Sequence, residues 1–207
     1  MSNNTATIKT RENLVSTRTI TMTALLAAIS YVLAFLEFPV PLSPSFARMD
    51  LSDLPALIGA FAFGPVTGVM IELIKNILQL LSTSTGGIGE LGNFLMGASY
   101  VLAAGFIYKY KKTRKMAMWA CVISSVVMGI AAAIVNYFIL LPLFETFMPL
   151  DQLIASFGEF LPFIKTKLDV VLFNALPFNI LKGLVIGAIA MRIYKKLTPI
   201  LKGETLK

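Results

Sequence analysis

The stretch Leu54-Pro-Ala-Leu-Ile-Gly-Ala-Phe-Ala-Phe-Gly-Pro-Val-Thr-Gly-Val-Met-Ile-Glu-Leu-Ile-Lys-Asn-Ile-Leu-Gln-Leu-Leu-Ser82 decides the fold. As one helix it would run about 43 Å at 1.5 Å per residue. That is a poor fit to a hydrocarbon core of about 30 Å. The stretch also contains Gly64-Pro65, with Gly68 close behind. Proline removes a backbone donor and pushes the preceding residue out of helical geometry. The stretch is therefore expected to break into a short helix over 52–63 and a second helix over 65–82.

Four other apolar stretches flank it: 19–36, 91–108, 116–141 and 172–194. Charge placement and parity give the count. Lys9, Arg11 and Arg18 precede the first stretch. Lys109, Lys111, Lys112, Arg114 and Lys115 form one loop, and Arg192, Lys195, Lys196, Lys202 and Lys207 form the tail. These are 13 of the 18 basic residues. If all three groups face the cytoplasm, as the positive-inside rule requires, an even number of spans separates the first group from the loop. Breaking the 54–82 stretch gives that even number. The expected fold is all-α: an integral bundle of six transmembrane helices with both termini cytoplasmic. Residues 1–18 form an N-terminal tail, 19–196 the membrane domain and 197–207 a C-terminal tail.

Composition agrees. The 207 residues are 57% hydrophobic and 14% charged, with a mean hydropathy of +0.79. Soluble domains average about 25% charged residues. The net charge of +7 does not point to nucleic acid, because no aromatic-interleaved basic face accompanies it. There is no histidine, and the one cysteine, Cys121, cannot form an internal disulfide. The first apolar stretch follows a polar tail of nearly twenty residues. It is too long for a signal core and reads as a retained helix. Three external connections follow: the proline-rich 37–52, the Ser/Thr/Gly-rich 82–89, and 142–171. The last carries an amphipathic patch over 150–161, expected to lie at the interface.

Polar residues at membrane depth are costly and mark function. Lys182 and Asn179 lie three apart in the last span, on one helix face. Asn136 lies about one and a half turns before the outer end of the fifth span. With the expected topology all three fall in the outer half of the membrane, at the level of Glu90 and Asn93. The first connection, with Phe46 and Met49, can fold over them. An ammonium and carboxamides suit a planar ligand rich in carbonyls and ring nitrogens, inside otherwise apolar walls. Glu72, Lys75 and Asn76 read as a helix-internal set. Asp53 reads as a helix N-cap, and Arg48 and Asp50 as fixing the first loop. The stretch Ala24-Leu-Leu-Ala-Ala28 places small residues four apart, which lets another helix approach closely. No internal repeat and no phosphate-binding Gly-x-x-x-x-Gly-Lys-Ser/Thr loop is present.

Four stretches carry a resemblance. They are Phe38-Pro-Val-Pro-Leu42, Asp50-Leu-Ser-Asp-Leu-Pro-Ala-Leu-Ile-Gly-Ala-Phe-Ala-Phe-Gly-Pro65, Ile71-Glu-Leu-Ile-Lys-Asn76 and Phe178-Asn-Ile-Leu-Lys-Gly183. The chain resembles the substrate-binding S components of energy-coupling factor (ECF) transporters. Asn136 and the Asn179/Lys182 pair are most like the riboflavin-specific branch. The resemblance implies a bacterial plasma-membrane protein that captures riboflavin from outside as transported substrate and needs no cofactor. It implies that Asn136, Asn179 and Lys182 hydrogen-bond the polar edge of the isoalloxazine ring, and that the first loop caps the site. It also implies that the Ala24/Ala28 face docks on a transmembrane coupling subunit, completed by two ATPase subunits. The 142–171 connection is longer than is usual for that family.

Other readings stay open. The ligand can be another vitamin or a phosphorylated flavin such as FMN. Asp50 and Asp53 can be read as a metal site of a membrane enzyme, although no histidine supports it. A pure assembly protein would use the Ala24/Ala28 face alone, but would have no reason to bury Lys182.

Overall fold

A computed structural model describes residues 16–39 and 48–203 of the chain. The helices are α1 (Thr17–Ala34), α2 (Asp53–Phe63), α3 (Pro65–Gln79), α4 (Ile88–Tyr110), α5 (Arg114–Glu145), α6 (Leu150–Gly158) and α7 (Lys167–Leu201). Helices α1, α4, α5 and α7 are each long and apolar enough to cross a membrane, and α2 is a shorter apolar helix. Helices α4, α5 and α7 extend a few residues beyond the apolar stretches seen in the sequence, because backbone hydrogen bonding continues where the side chains turn polar.

The break in the 54–82 stretch lies at Gly64, between α2 and α3. Its backbone (φ 107°, ψ 169°) occupies a region open essentially to glycine alone. Pro65 then opens α3, where its missing N–H is not needed. Across the bundle, Gly105 of α4 lets this corner seat closely. A Cβ there would stand 2.7 Å from the Pro65 Cα.

Helix α2 is the axis of the molecule. Every residue from Asp53 to Ala62 is buried, against α1, α3, α4 and α7. A helix apolar on all sides needs such enclosure, and this explains why the segment shows no amphipathic stripe. At 11 residues it is about 16 Å long, half a bilayer core. Its sheath of neighbours makes that length tolerable.

The outer helices close the ring through contacts of α3 with α4, α4 with α5, and α5 with α7. At one end of the bundle Arg18 joins its first and last helices. Its Nε donates to the Leu201 carbonyl at 2.7 Å and its Nη2 to the Ile200 carbonyl at 3.0 Å. A cation here satisfies carbonyls that the end of a helix leaves unpaired.

At the opposite end, two short segments shape the surface. Residues Phe38–Pro39 (β1) pair antiparallel with Arg48–Met49 (β2), Phe38 opposite Met49. The patch expected over 150–161 forms α6, which inserts Leu153 and Phe157 into a small cluster with Leu141, Ile164, Val170 and Val171. Thr166 and Asp169 then form a reciprocal capping box that starts α7.

Candidate functional site

Charged side chains buried in an apolar bundle must find one another. Lys75 of α3 lies 2.7 Å from Asp53 Oδ1 and 2.6 Å from Glu72 Oε2, with all three side chains fully enclosed. It also donates to the Ser52 hydroxyl at 3.0 Å. Lys182 of α7 reaches the other oxygen of the same carboxylate, Asp53 Oδ2, at 3.0 Å. Its ammonium is further shared with Asp50 Oδ2 at 3.4 Å and Asn93 Oδ1 at 3.3 Å. Asp53 thus bridges two lysines from different helices. The contacts of Glu72 Oε2 and Asp53 Oδ2 are ion pairs rather than directed hydrogen bonds, since neither oxygen has a well-aligned donor among the described residues.

This corrects the expected N-cap role of Asp53. The cap position is Ser52, and Asp53 is the first residue of α2; two ammonium groups claim its side chain instead. Asp50 does fix the loop locally, accepting from the Ser52 N–H at 2.7 Å, and it also faces Lys182. Lysines stand where the metal reading of Asp50 and Asp53 would place a cation. The Glu72/Lys75 pair on α3 forms as the spacing requires, but Lys75 extends it to α2.

Asn136 sits in a distorted turn of helix, and Asn179 one turn past another. In α5 the Leu141 N–H bonds the carbonyl of Asn136, five residues back. In α7 the Leu176 N–H bonds that of Val171, also five back. Each wide turn is followed by a proline, Pro142 and Pro177. A proline ring in a regular helix collides with the carbonyl four residues earlier, and widening the turn relieves this. Such turns recur at functional sites, and here the two touch each other. Asn136 and Asn179 each donate one N–H to the carbonyl four residues before, Ala132 and Ala175, at 2.8 Å. Each amide has a second N–H and a carbonyl acceptor besides. Asn136 Nδ2 also donates weakly to the Met96 sulfur on α4, at 4.0 Å.

The structure therefore gathers Lys182 and Asn93 directly, and Asn179 lies one turn from Lys182 on α7. Asn136 meets α4 one turn beyond Asn93. Met49 is buried beside Asp50. Phe46 lies outside the described residues. Glu90 is engaged elsewhere: it accepts from the hydroxyls of Thr83 and Thr85 at 3.0 and 3.1 Å and holds the second external turn. Tyr100 of α4 donates to the Gly183 carbonyl at 2.8 Å, pinning the backbone next to Lys182. On α1, Ala24 and Ala28 are exposed, in a face that also shows Leu25, Ile29 and Val32.

Two cavities are not lined by Asn136, Asn179 or Lys182. One, of about 300 Å³, lies at the α2–α3 corner beside Phe61, Pro65, Tyr108 and Lys109. The other, of about 320 Å³, lies among Ala34, Glu37, Gln79 and Glu90. Around the Lys182 ammonium stand Asp50, Asp53 and Asn93. The role of Asp53 as bridge was missed in the sequence. The signal was the count of charges: two lysines and three acids in segments too apolar to leave any of them solvated.

A family profile described as "ECF transporter, substrate-specific component" matches residues 18–194. The chain belongs to this family. The S component is 37% identical over 180 residues to the "Riboflavin transporter RibU" of Staphylococcus aureus (strain TCH60), covering 86% of this chain and 89% of that one. It is 33% identical over 179 residues to the "Riboflavin transporter FmnP" of Bacillus subtilis (strain 168), covering 85% and 90%. A solved structure described as the S component of a bacterial ECF transporter superposes with a TM-score of 0.70 at 36% identity. That match covers 89% of this chain and 98% of the other. The S component is a membrane protein that binds substrate for a transporter; it is not an enzyme.

Proposed function

We propose that this S component captures riboflavin from outside a bacterial cell and presents it for ATP-driven uptake by an ECF transporter. The observation that carries the reading is the 37% identity, across most of both chains, to a riboflavin transporter. The chemistry around Lys182 supports it. Lys182, Asn179, Asn136 and Asn93 bring N–H donors and carbonyl acceptors to one level of the bundle. Those groups match the carbonyl- and nitrogen-rich edge of an isoalloxazine ring. Phe46 and Met49 of the first connection complete the proposed substrate contacts. Riboflavin is the transported substrate, and no cofactor is required.

The chain crosses the plasma membrane six times, with both termini cytoplasmic. Supporting this are the helix break at Gly64, the Arg18 link between the first and last helices, and the basic segments at 9–18, 109–115 and 192–207. Residues 19–196 form the membrane domain between two short tails. The exposed Ala24/Ala28 face of α1 docks on the transmembrane coupling subunit, and two ATPase subunits complete the complex.

Purified protein is expected to quench riboflavin fluorescence on binding. Asn179→Ala and Lys182→Ala should each weaken affinity roughly 10- to 150-fold, the effect of losing a charge-assisted or buried hydrogen bond of about 1.5–3 kcal/mol. Wild-type affinity in both variants would reject this site. A panel of FMN and other vitamins as competitors decides whether the ligand is riboflavin itself.

A further inference from the structure

Lys182 is held on two sides that differ in kind. Inward stands Asp53, fully enclosed, at 3.0 Å, and itself fixed to Lys75. Outward stand Asp50 at 3.4 Å and Asn93 at 3.3 Å, beyond the usual length of a good N–H···O bond. The Asp50 side chain is 12% exposed and directly follows β2, the returning arm of the first connection.

We propose that Asp50 is a displaceable counter-ion for Lys182 that competes with the substrate, while Asp53 holds the ammonium from the enclosed side. The proposal rests on the reading that Lys182 meets the substrate. An ammonium has three donors; here it donates to Asp50 and Asn93, and its remaining side is held against Asp53 Oδ2 by an ion pair at 3.0 Å. A substrate carbonyl gains Lys182 only by replacing one of them. Asp53 cannot yield, since separating one buried charge from its partner leaves it uncompensated in a dry interior. Asp50 can. Its side chain is less enclosed than that of Asp53, and its Oδ1 keeps the Ser52 N–H at 2.7 Å whether or not Oδ2 faces Lys182. A loop carboxylate on the ammonium lowers the fraction of protein ready to bind, and apparent affinity falls by that fraction.

The test is stopped-flow quenching of riboflavin fluorescence by the purified full chain, comparing wild type with Asp50→Asn, Asp50→Ser and Lys182→Ala. Asn keeps an acceptor for the Ser52 N–H and loses the charge. Ser keeps that acceptor on a shorter side chain that does not reach Lys182. Both are expected to associate faster and bind about fivefold tighter. If Lys182→Ala is weakened while both Asp50 variants bind as wild type or more weakly, the counter-ion role is overturned and the site stands. If Lys182→Ala binds like wild type, the site reading itself fails. Should one Asp50 variant not fold, the other decides.

Discussion

The Lys75 ammonium of α3 stands 2.7 Å from the Asp53 carboxylate of α2, with neither side chain exposed. This pair locks the enclosed helix to the ring around it. Removing one partner of a buried pair is far more damaging than replacing both with apolar groups.

Lys75→Met should therefore destabilise the bundle by about 3–5 kcal/mol, because Asp53 and Glu72 both lose their nearest cation. A thermal melt in detergent measures this as a lowered midpoint. Adding Glu72→Leu should restore part of the loss by removing one stranded carboxylate. A single variant melting with the wild type would show that the pair carries little of the stability.

Gly64 isolates a backbone effect. A Cβ added there meets nothing within 4 Å, so packing is untouched. Its dihedrals nevertheless exclude ordinary residues, and Gly64→Ala should cost about 1–3 kcal/mol. The same melt reads it. Equal stability would mean that the corner relaxes freely into another geometry.

Ala28→Trp should separate capture from delivery. The residue is exposed on α1 and distant in sequence from the Lys182 cluster. Riboflavin binding by the purified protein is expected to stay within about twofold of wild type, as for surface changes that remove no contact. Uptake by cells carrying the full transporter should be abolished, because a large side chain blocks close helix approach. Normal uptake would place the coupling subunit on another face.

The sequence made the break at Gly64-Pro65 legible, since both residues announce their own geometry. The helix around Leu153 and Phe157 was visible for a similar reason: its apolar spacing needs only local information. The Asp53 bridge was hidden. Its spacing from Pro55 suits an N-cap, and nothing in a linear chain shows that Lys75 and Lys182 approach the same carboxylate from opposite sides. Asn136 and Asn179 were found by their rarity in apolar runs. The wide turns beneath them depend on Pro142 and Pro177 acting within helices, where a proline more often signals an end. Lys182 was found, but its crowding by Asp50 and Asn93 is a property of the packed bundle alone.

The enclosure of α2 has a bearing on the bilayer. Lipids meet the outer helices and never the central one, so a thicker or thinner membrane is met by tilting the periphery. The Asp53 end of the central shaft carries the anchor for Lys182 and is insulated from that adjustment. The spacing between Asp53 and Lys182 is thus expected to stay constant across bilayers of different thickness.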